Sequence, residues 1–407
     1  GYDYRLDLWQ NVAVPRIPES LMRHFALFVL LANLPIVVLA AEQATVRVAT
    51  FNVSLYSDEQ GGLLRRLQAG DAAAAEVAAV IQKQRPNILV LNEFDYDAGA
   101  KSADLFQKRY LGVAQFGQKP IRYNYRYFAS ANTGIPSGHD LDNDGVVGGA
   151  NDAYGYGKHP GQYGMLVLSQ YPIEKLNVRT FQKFLWKDMP GALAPIRPDG
   201  SPWYTAKAWD RFRLSSKSHW DIPISTPLGT LHLLVSHPTP PVFDGVEDRN
   251  GRRNHDEIRF WAEYISGADS FWILDDDGAR GGLKTGERFV IAGDLNADPA
   301  DGDGIPGTVV ALLENPRVQR MPTPRSEGGE AAALADAGAN LGHRGAHHHD
   351  TGNFGPRVGN MRLDYVLPST GMRVVGSGVF WPPPGQLGAE WLDASDHRMV
   401  WVDLQSG

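Results

Sequence analysis

Apolar residues recur at two spacings along this chain, and the spacings sort it into strands and helices. Thr45 to Val53 alternates apolar and polar side chains, which predicts a strand with one buried face, and Asn52 falls at its end. Asn87 to Glu93 carries a continuous apolar run and predicts a second, fully buried strand ending on Asn92-Glu93. Between them, the Ala-rich stretch from Asp71 to Gln84 predicts a helix with Asp71 as its N-cap, and Pro86 separates it from the next strand. A strand–helix–strand unit of this kind carries its functional groups at the strand ends.

The same pattern continues downstream. Met165–Ser169, Gly229–Ser236, Phe289–Ala292, Met361–Leu367 and Met399–Leu404 read as core strands. A helix is expected from about Asn254 through Ile265, where apolar residues return every three or four positions, and a short one from Thr308 to Leu313. The Gly-, Asn- and Tyr-rich segment from Gly117 to Gly164 predicts long loops over a rigid scaffold, and Pro172 to Gly200 reads as loop and short strand. Arg211 to Trp220 is basic, aromatic and rich in hydroxyls. It is either a pocket wall offering Arg213 and Lys217 to phosphate oxygens or an exposed edge strand. No internal repeat and no linker divides these elements.

Composition narrows the function classes. A chain of 407 residues with 43% hydrophobic content can bury a large core, as one α/β domain or as two or three. A net charge of −7 argues against gripping nucleic acid by positive charge alone. It leaves room for an enzyme of phosphate esters in which bound cations supply the missing charge. The absence of cysteine excludes disulfide frameworks, thiolate zinc sites and cysteine nucleophiles. Near the N-terminus, basic Met22-Arg23-His24 precedes an apolar run from Phe25 to Leu39, then small Ala40-Ala41 and polar Glu42-Gln43. That order predicts a secretory signal with its start at Met22, so that residues 1–41 are upstream segment and signal and residues 42–407 the mature domain. The run is short and broken by Pro35, so stable membrane insertion is not expected once it is removed. A secreted or periplasmic monomer is the resulting expectation.

The strand ends carry the candidate chemistry: Asn52, Glu93, His237, Asp294, Asn296 and Asp396-His397. Asp294 and Asn296 stand two residues apart and project to one side if the chain stays extended, although Asp, Asn and Pro also favour a plain turn there. Carboxylate and amide oxygens suit a hard cation such as Mg²⁺ or Mn²⁺. A histidine beside an acid suits proton transfer, and Asp364, placed inside an apolar strand, needs a hydrogen-bonding partner of that sort. Asp140, Asp142 and Asp144, followed by Gly145, open like an EF-hand loop, with Asn151 and Asp152 where the closing Glu would stand. They form either a structural calcium loop or a solvated acidic loop. Asp298, Asp301 and Asp303 pose the same choice. His343, His347, His348 and His349 lie in a Gly-rich region and read as exposed.

Six short motifs in fixed order carry a family resemblance: Phe51-Asn52, Leu91-Asn92-Glu93, Ser236-His237, Gly293-Asp294-Leu295-Asn296, Arg362-Leu363-Asp364-Tyr365 and Ser395-Asp396-His397. Over about residues 45–404 the chain resembles the endonuclease/exonuclease/phosphatase superfamily, the fold of deoxyribonuclease I. The resemblance implies a four-layered α/β sandwich of two mixed sheets packed face to face with helices outside. It implies Glu93 as main metal ligand, with Asn52 and Asp396 completing the site. Asp294 and Asn296 would position the nucleophilic water or the phosphate, Asp294 being a candidate base. His237 would contact the phosphate or assist the leaving group, and His397, oriented by Asp364, would stabilise charge on phosphorus. The expected activity is that of an exported metal-dependent phosphodiesterase working by in-line attack of water, a nuclease or a relative. A phosphomonoesterase or lipid phosphodiesterase is the alternative on the same fold, and no apolar hairpin suited to a membrane surface stands out. A catalytically inactive binding module is the alternative of another class, against which every metal and proton-transfer position carries a competent side chain. Asn92 replaces the Gln more usual in the family, and the segments 117–164 and 325–360 are longer than a minimal member needs; the resemblance implies that such loops set substrate choice.

Overall fold

A computed structural model describes residues 43–267 and 270–407. The expected signal segment, residues 1–41, lies outside them. Residues Ala44–Gly407 form one compact unit, and no helix among the described residues is long and apolar enough to cross a membrane.

Thirteen strands are described: β1 Val46–Leu55, β2 Ile88–Phe94, β3 Tyr125–Tyr127, β4 Met165–Ser169, β5 Arg179–Thr180, β6 His219–Thr226, β7 Gly229–Ser236, β8 Phe289–Asp294, β9 Gly352–Asn353, β10 Asn360–Met361, β11 Asp364–Pro368, β12 Met372–Val379 and β13 Val400–Ser406. They build a six-stranded sheet in the order β12-β13-β1-β2-β4-β3, a five-stranded sheet in the order β11-β8-β7-β6-β5, and the small pair β10-β9. The helices are α1 Gly62–Ala69, α2 Ala72–Gln84, α3 Lys101–Phe106, α4 Ala206–Trp209, α5 Arg249–Ser266, α6 Thr308–Leu313 and α7 Gly328–Asp336.

Alternation along the strands sets the layers. In β1, Val46 and Val48 face the other sheet, joining Val90 of β2, Leu233 and Val235 of β7, and Val290 and Ala292 of β8 in a shared core. The intervening Ala49, Phe51 and Val53 turn outward onto α1 and α2, where Leu63, Leu67, Val77 and Ile81 cover them. On the far side, Phe289 and Ile291 pack against Ile258, Trp261 and Ile265 of α5. The order is helix, sheet, sheet, helix, as the resemblance implied.

Each large sheet contains one parallel pair, β1 with β2 and β7 with β8, so the C-terminal ends of those four strands reach one edge. The antiparallel partners bring their beginnings to that same edge. Asp364 at the start of β11 pairs with Asp294, and Val400 at the start of β13 pairs with Thr50.

Several expectations are corrected. The strand expected from Met361 to Leu367 is two pieces, β10 and β11, because Leu363 and Asp364 turn their N–H groups onto the hydroxyl of Thr351. Helix α5 begins at Arg249, more than a turn before Asn254. Arg211–Ser218 is irregular and mostly buried, and β6 lies between β5 and β7, so this region is no exposed edge. Helices α1 and α3 and strand β12 were not anticipated. The alternation in β12 is blurred by Gly376 and Gly378, against which Trp401 packs.

Candidate active site

The inward-facing alternation that fills the core with Val does not stop at the edge of the sheets. Two residues beyond Val90, Val235 and Ala292 it delivers Asn92, His237 and Asp294, and beyond Val48 it delivers Thr50 and Asn52. Polar side chains therefore enter the gap between the sheets where apolar ones would otherwise continue. All five are buried, and burial of polar groups is tolerable only when they are hydrogen-bonded.

Asp294 is the hub. Its Oδ2 accepts from Asn52 Nδ2 at 3.1 Å and lies 3.4 Å from His237 Nε2 and 3.6 Å from His397 Nε2. Its Oδ1 accepts from the Asn296 amide at 2.9 Å, and its own amide donates to Asn92 Oδ1 at 3.1 Å. Burial raises the Asp294 pKa to about 6, against the pull of His397 and Asn52. A carboxylate with a value near neutrality suits proton acceptance. Gly293 makes the approach of the two strands possible: at φ +153°, a Cβ there would come 2.1 Å from the Ser236 carbonyl oxygen.

His397 and Asp364 form the second element. Asp364 Oδ2 accepts from His397 Nδ1 at 2.8 Å and from Thr351 Oγ1 at 2.8 Å. Burial alone would depress the imidazole, but the carboxylates of Asp364 and Asp294 outweigh it and hold His397 well above its ordinary value. His397 is therefore the charged imidazole of the pair. His237 is the neutral one, since burial, with Lys217 and His397 adding to it, drives it well below the usual value. Its Nδ1 is buried without a partner among the described residues.

Glu93 leaves the strand alternation through a left-handed backbone, φ +57°, which turns it into the cavity. Its Oε1 lies 4.0 Å from His237 Nε2. Burial raises its pKa, opposed by Asn52 and His397. Asp396 is exposed and accepts from Ser54 Oγ at 3.3 Å. Asn296, also left-handed at φ +51°, donates to the Pro238 carbonyl oxygen at 3.0 Å. These groups form the floor of a cavity of about 1080 Å³. One wall is tyrosine, with Tyr56 and Tyr163 rings 4.5 Å apart.

Among the described residues, two groups of side chains have the spacing to hold a metal ion: Asp294, Asp364 and His397, and Asp140, Asp142 and Asp144, the ligand atoms of each group lying within 4.8 Å of one another. In the second group each aspartate accepts a backbone N–H of its own loop, from Gly145, Asp144 and Val146 respectively. Asn151, at the closing position, donates from Nδ2 to Asp142 Oδ2 at 2.8 Å, and Asp152 beside it accepts from the Leu141 and Gly148 amides.

The expected site residues do not all meet. Asn52, Asp294, His237, Asp364 and His397 are joined by the contacts above, and Glu93, Asn296, Asp396 and Lys217 line the same cavity. Arg213 does not line it: its Nη1 donates to Asn132 Oδ1 at 2.6 Å and its guanidinium lies 4.1 Å over the Tyr154 ring. The histidines expected to be exposed are partly buried. His347 bonds Asp350 at 2.9 Å, and His343 lines the cavity. Sequence reasoning missed Thr351 and Arg253. Thr351 could have been found only from the pairing of β10 with β9, which no local pattern signals.

The two mixed sheets thus bring acids, amides and an acid-held imidazole to one rim. The chain belongs to the Endonuclease/Exonuclease/phosphatase family, whose profile matches residues 49–397. Among solved structures it is similar to an endonuclease/exonuclease/phosphatase from Beutenbergia cavernae DSM 12333, at 18% identity and TM-score 0.49, covering 90% of this chain and 72% of that one. It is also similar to sphingomyelinase C from Streptomyces griseocarneus, at 15% identity and TM-score 0.42, covering 88% and 99%. A beta toxin variant from Staphylococcus aureus with bound magnesium ions matches at 13% identity and TM-score 0.42, covering 89% and 100%. No curated protein matches.

Proposed function

We propose that the protein is an exported, metal-dependent phosphodiesterase. The observation that carries the reading is the convergence on one cavity floor of Asp294, raised toward neutrality, and His397, charged and held by Asp364. Asp294 Oδ2 accepts the proton of the attacking water. Asn52, donating to that same oxygen, and the Asn296 amide, donating to Oδ1, fix the carboxylate's orientation. Asp364 keeps the His397 ring oriented through Nδ1 and leaves Nε2–H to meet charge building on the phosphoryl oxygens. Neutral His237, with Nε2 3.4 Å from Asp294 Oδ2, contacts the phosphate or assists the leaving group.

Glu93, Asn52 and Asp396 fit a hard cation through their oxygens, and burial makes an uncompensated Glu93 carboxylate costly. By contrast, in the buried cluster Asp364 Oδ2 and His397 Nδ1 are already engaged with each other. Mg²⁺ or Mn²⁺ held by Glu93, Asn52 and Asp396 would supply Lewis-acid neutralisation of the phosphate. Calcium in the Asp140–Asp142–Asp144 loop is a second proposed ion, with a structural role. A cavity of about 1080 Å³ leaves room for substituents on phosphorus well beyond a monoester. That volume favours a diester, nucleic acid included, over a small phosphomonoester.

The test is a screen of the purified protein against DNA, RNA, bis-p-nitrophenyl phosphate, p-nitrophenyl phosphate and sphingomyelin, with Mg²⁺, Mn²⁺ or Ca²⁺ and with EDTA. Activity unchanged by EDTA, or surviving in Glu93→Ala and His397→Ala, sinks the mechanism. No turnover of any ester favours the binding-module alternative.

A further inference from the structure

His397 is steered from two sides, and only one of them is an acid. Asp364 fixes Nδ1 through a single hydrogen bond of 2.8 Å, which by itself leaves the ring free to tilt about that bond. The second contact is aromatic. The Phe354 ring stands nearly perpendicular to the imidazole, at 78°, with the two ring centres 5.5 Å apart. Phe354 is partly buried and lines the cavity, while His397 is buried.

The local backbone brings that ring to the imidazole. Residues 351–353 run antiparallel beside residues 396–398. The Asn353 amide donates to the Asp396 carbonyl oxygen at 2.8 Å, and the Arg398 amide donates to that of Thr351 at 2.7 Å. Gly352 is paired with His397 itself. Strand alternation puts residues 352 and 354 on one side, and the Phe354 ring fills the space that a side chain on Gly352 would need. A Cβ there would lie 2.7 Å from Phe354 Cζ. The chain then turns back at once, with the Phe354 amide donating to the Gly359 carbonyl oxygen at 3.2 Å. Asn353 Nδ2 ties the turn to Asp336 of α7 at 2.9 Å.

An aromatic ring beside a charged imidazole has two effects. Its π-electrons attract the cation. Its bulk also keeps water from the bond between Nδ1–H and Asp364, and a hydrogen bond strengthens in drier surroundings.

We propose that Phe354 is a positioning residue for His397, closing one side of the imidazole so that Nε2–H stays directed at the phosphoryl group. It acts through His397 and not by touching the substrate. This rests on the phosphodiesterase reading for what His397 does, but not for whether Phe354 holds it.

A double-mutant cycle tests it. Phe354→Ala is expected to lower kcat for bis-p-nitrophenyl phosphate about tenfold while KM changes less than about twofold. Phe354→Tyr, which keeps the ring, should recover most of that loss. In the His397→Ala background the same Phe354→Ala change should cost less than about twofold. Equal losses in both backgrounds, or a loss confined to KM, make Phe354 a wall for the substrate and overturn the proposal. If Phe354→Ala fails to fold, Phe354→Leu, which keeps apolar bulk without the ring, is read in its place. A second measurement needs no turnover: the His397 Nδ1–H signal in proton NMR spectra of the full chain near neutral pH, assigned by its loss in His397→Ala. It is expected to be sharp in the unaltered protein and in Phe354→Tyr, and lost to exchange with water in Phe354→Ala. A signal equally sharp, or equally absent, in all three overturns the proposal. An unaltered protein that hydrolyses no ester counts against the hydrolase reading, and the NMR comparison then decides the role of Phe354.

Discussion

Asn52 Nδ2 donates to Asp294 Oδ2 at 3.1 Å and so joins the end of β1 in one sheet to the end of β8 in the other. The bond closes the gap between the sheets where the apolar core ends, and it orients the carboxylate proposed to accept the proton. Asn52→Ala is expected to lower kcat for bis-p-nitrophenyl phosphate by about a hundredfold or more. Asn52→Asp should do no better, since a like charge beside Asp294 raises its pKa further. Steady-state kinetics on folded variants checks both.

The His397–Asp364 pair predicts a second kinetic outcome. Asp364→Asn removes the charge that keeps the imidazole protonated and disturbs its orientation, with an expected loss of about 10² to 10⁴ in kcat. His397→Ala should lose a similar factor, and the double variant little more, because the two act as one unit. Additive losses would show that they act separately.

Chelation gives a third. EDTA should reduce hydrolysis to background, with recovery on adding Mg²⁺ or Mn²⁺. Glu93→Gln should not recover at the same metal concentration.

Acid stability turns on His219. It is buried in the neutral form, with Ser215 Oγ at 2.6 Å from Nδ1 and the Glu257 carbonyl oxygen at 2.8 Å from Nε2, and burial lowers its pKa from 6.5 to about 4. The unfolded chain therefore takes up the proton more readily than the folded one. Its contribution is intact above pH 6.5 and is lost as pH falls from there toward 4, by a total on the order of 3 kcal/mol. His219→Gln, which offers a donor and an acceptor without titrating, should flatten the change in urea midpoint between pH 7 and pH 5.

Gly293→Ala should destabilise by about 3 kcal/mol or more, because a Cβ 2.1 Å from the Ser236 carbonyl oxygen forces β7 and β8 apart. Differential scanning calorimetry reads the loss directly.

Much of the site was legible in the chain. Strands ending on Asn52, Glu93, His237 and Asp294 were visible because a buried strand must be apolar to its end, so the first polar residue marks the edge. Asp364 was legible for a related reason, as an acid inside an apolar run needs a partner. Arg213 and Arg253 show where this reasoning stops. Arg213 sits in a basic, hydroxyl-rich stretch that looks like a phosphate wall, yet it folds onto Tyr154 and Asn132. Arg253 stands one residue before the expected helix start, and only the longer α5 fixes it against the Leu214 carbonyl on the cavity wall.

The sequence by itself determined which residues stand at strand ends and which face they share, because the two-residue period of a strand is a local property. It could not determine which of them touch. The contact of Asn52 with Asp294 joins positions 242 residues apart, and it depends on the register of two parallel pairs and on how the sheets pack. Those are decided by the core as a whole, so only the tertiary structure could gather the strand ends into one site.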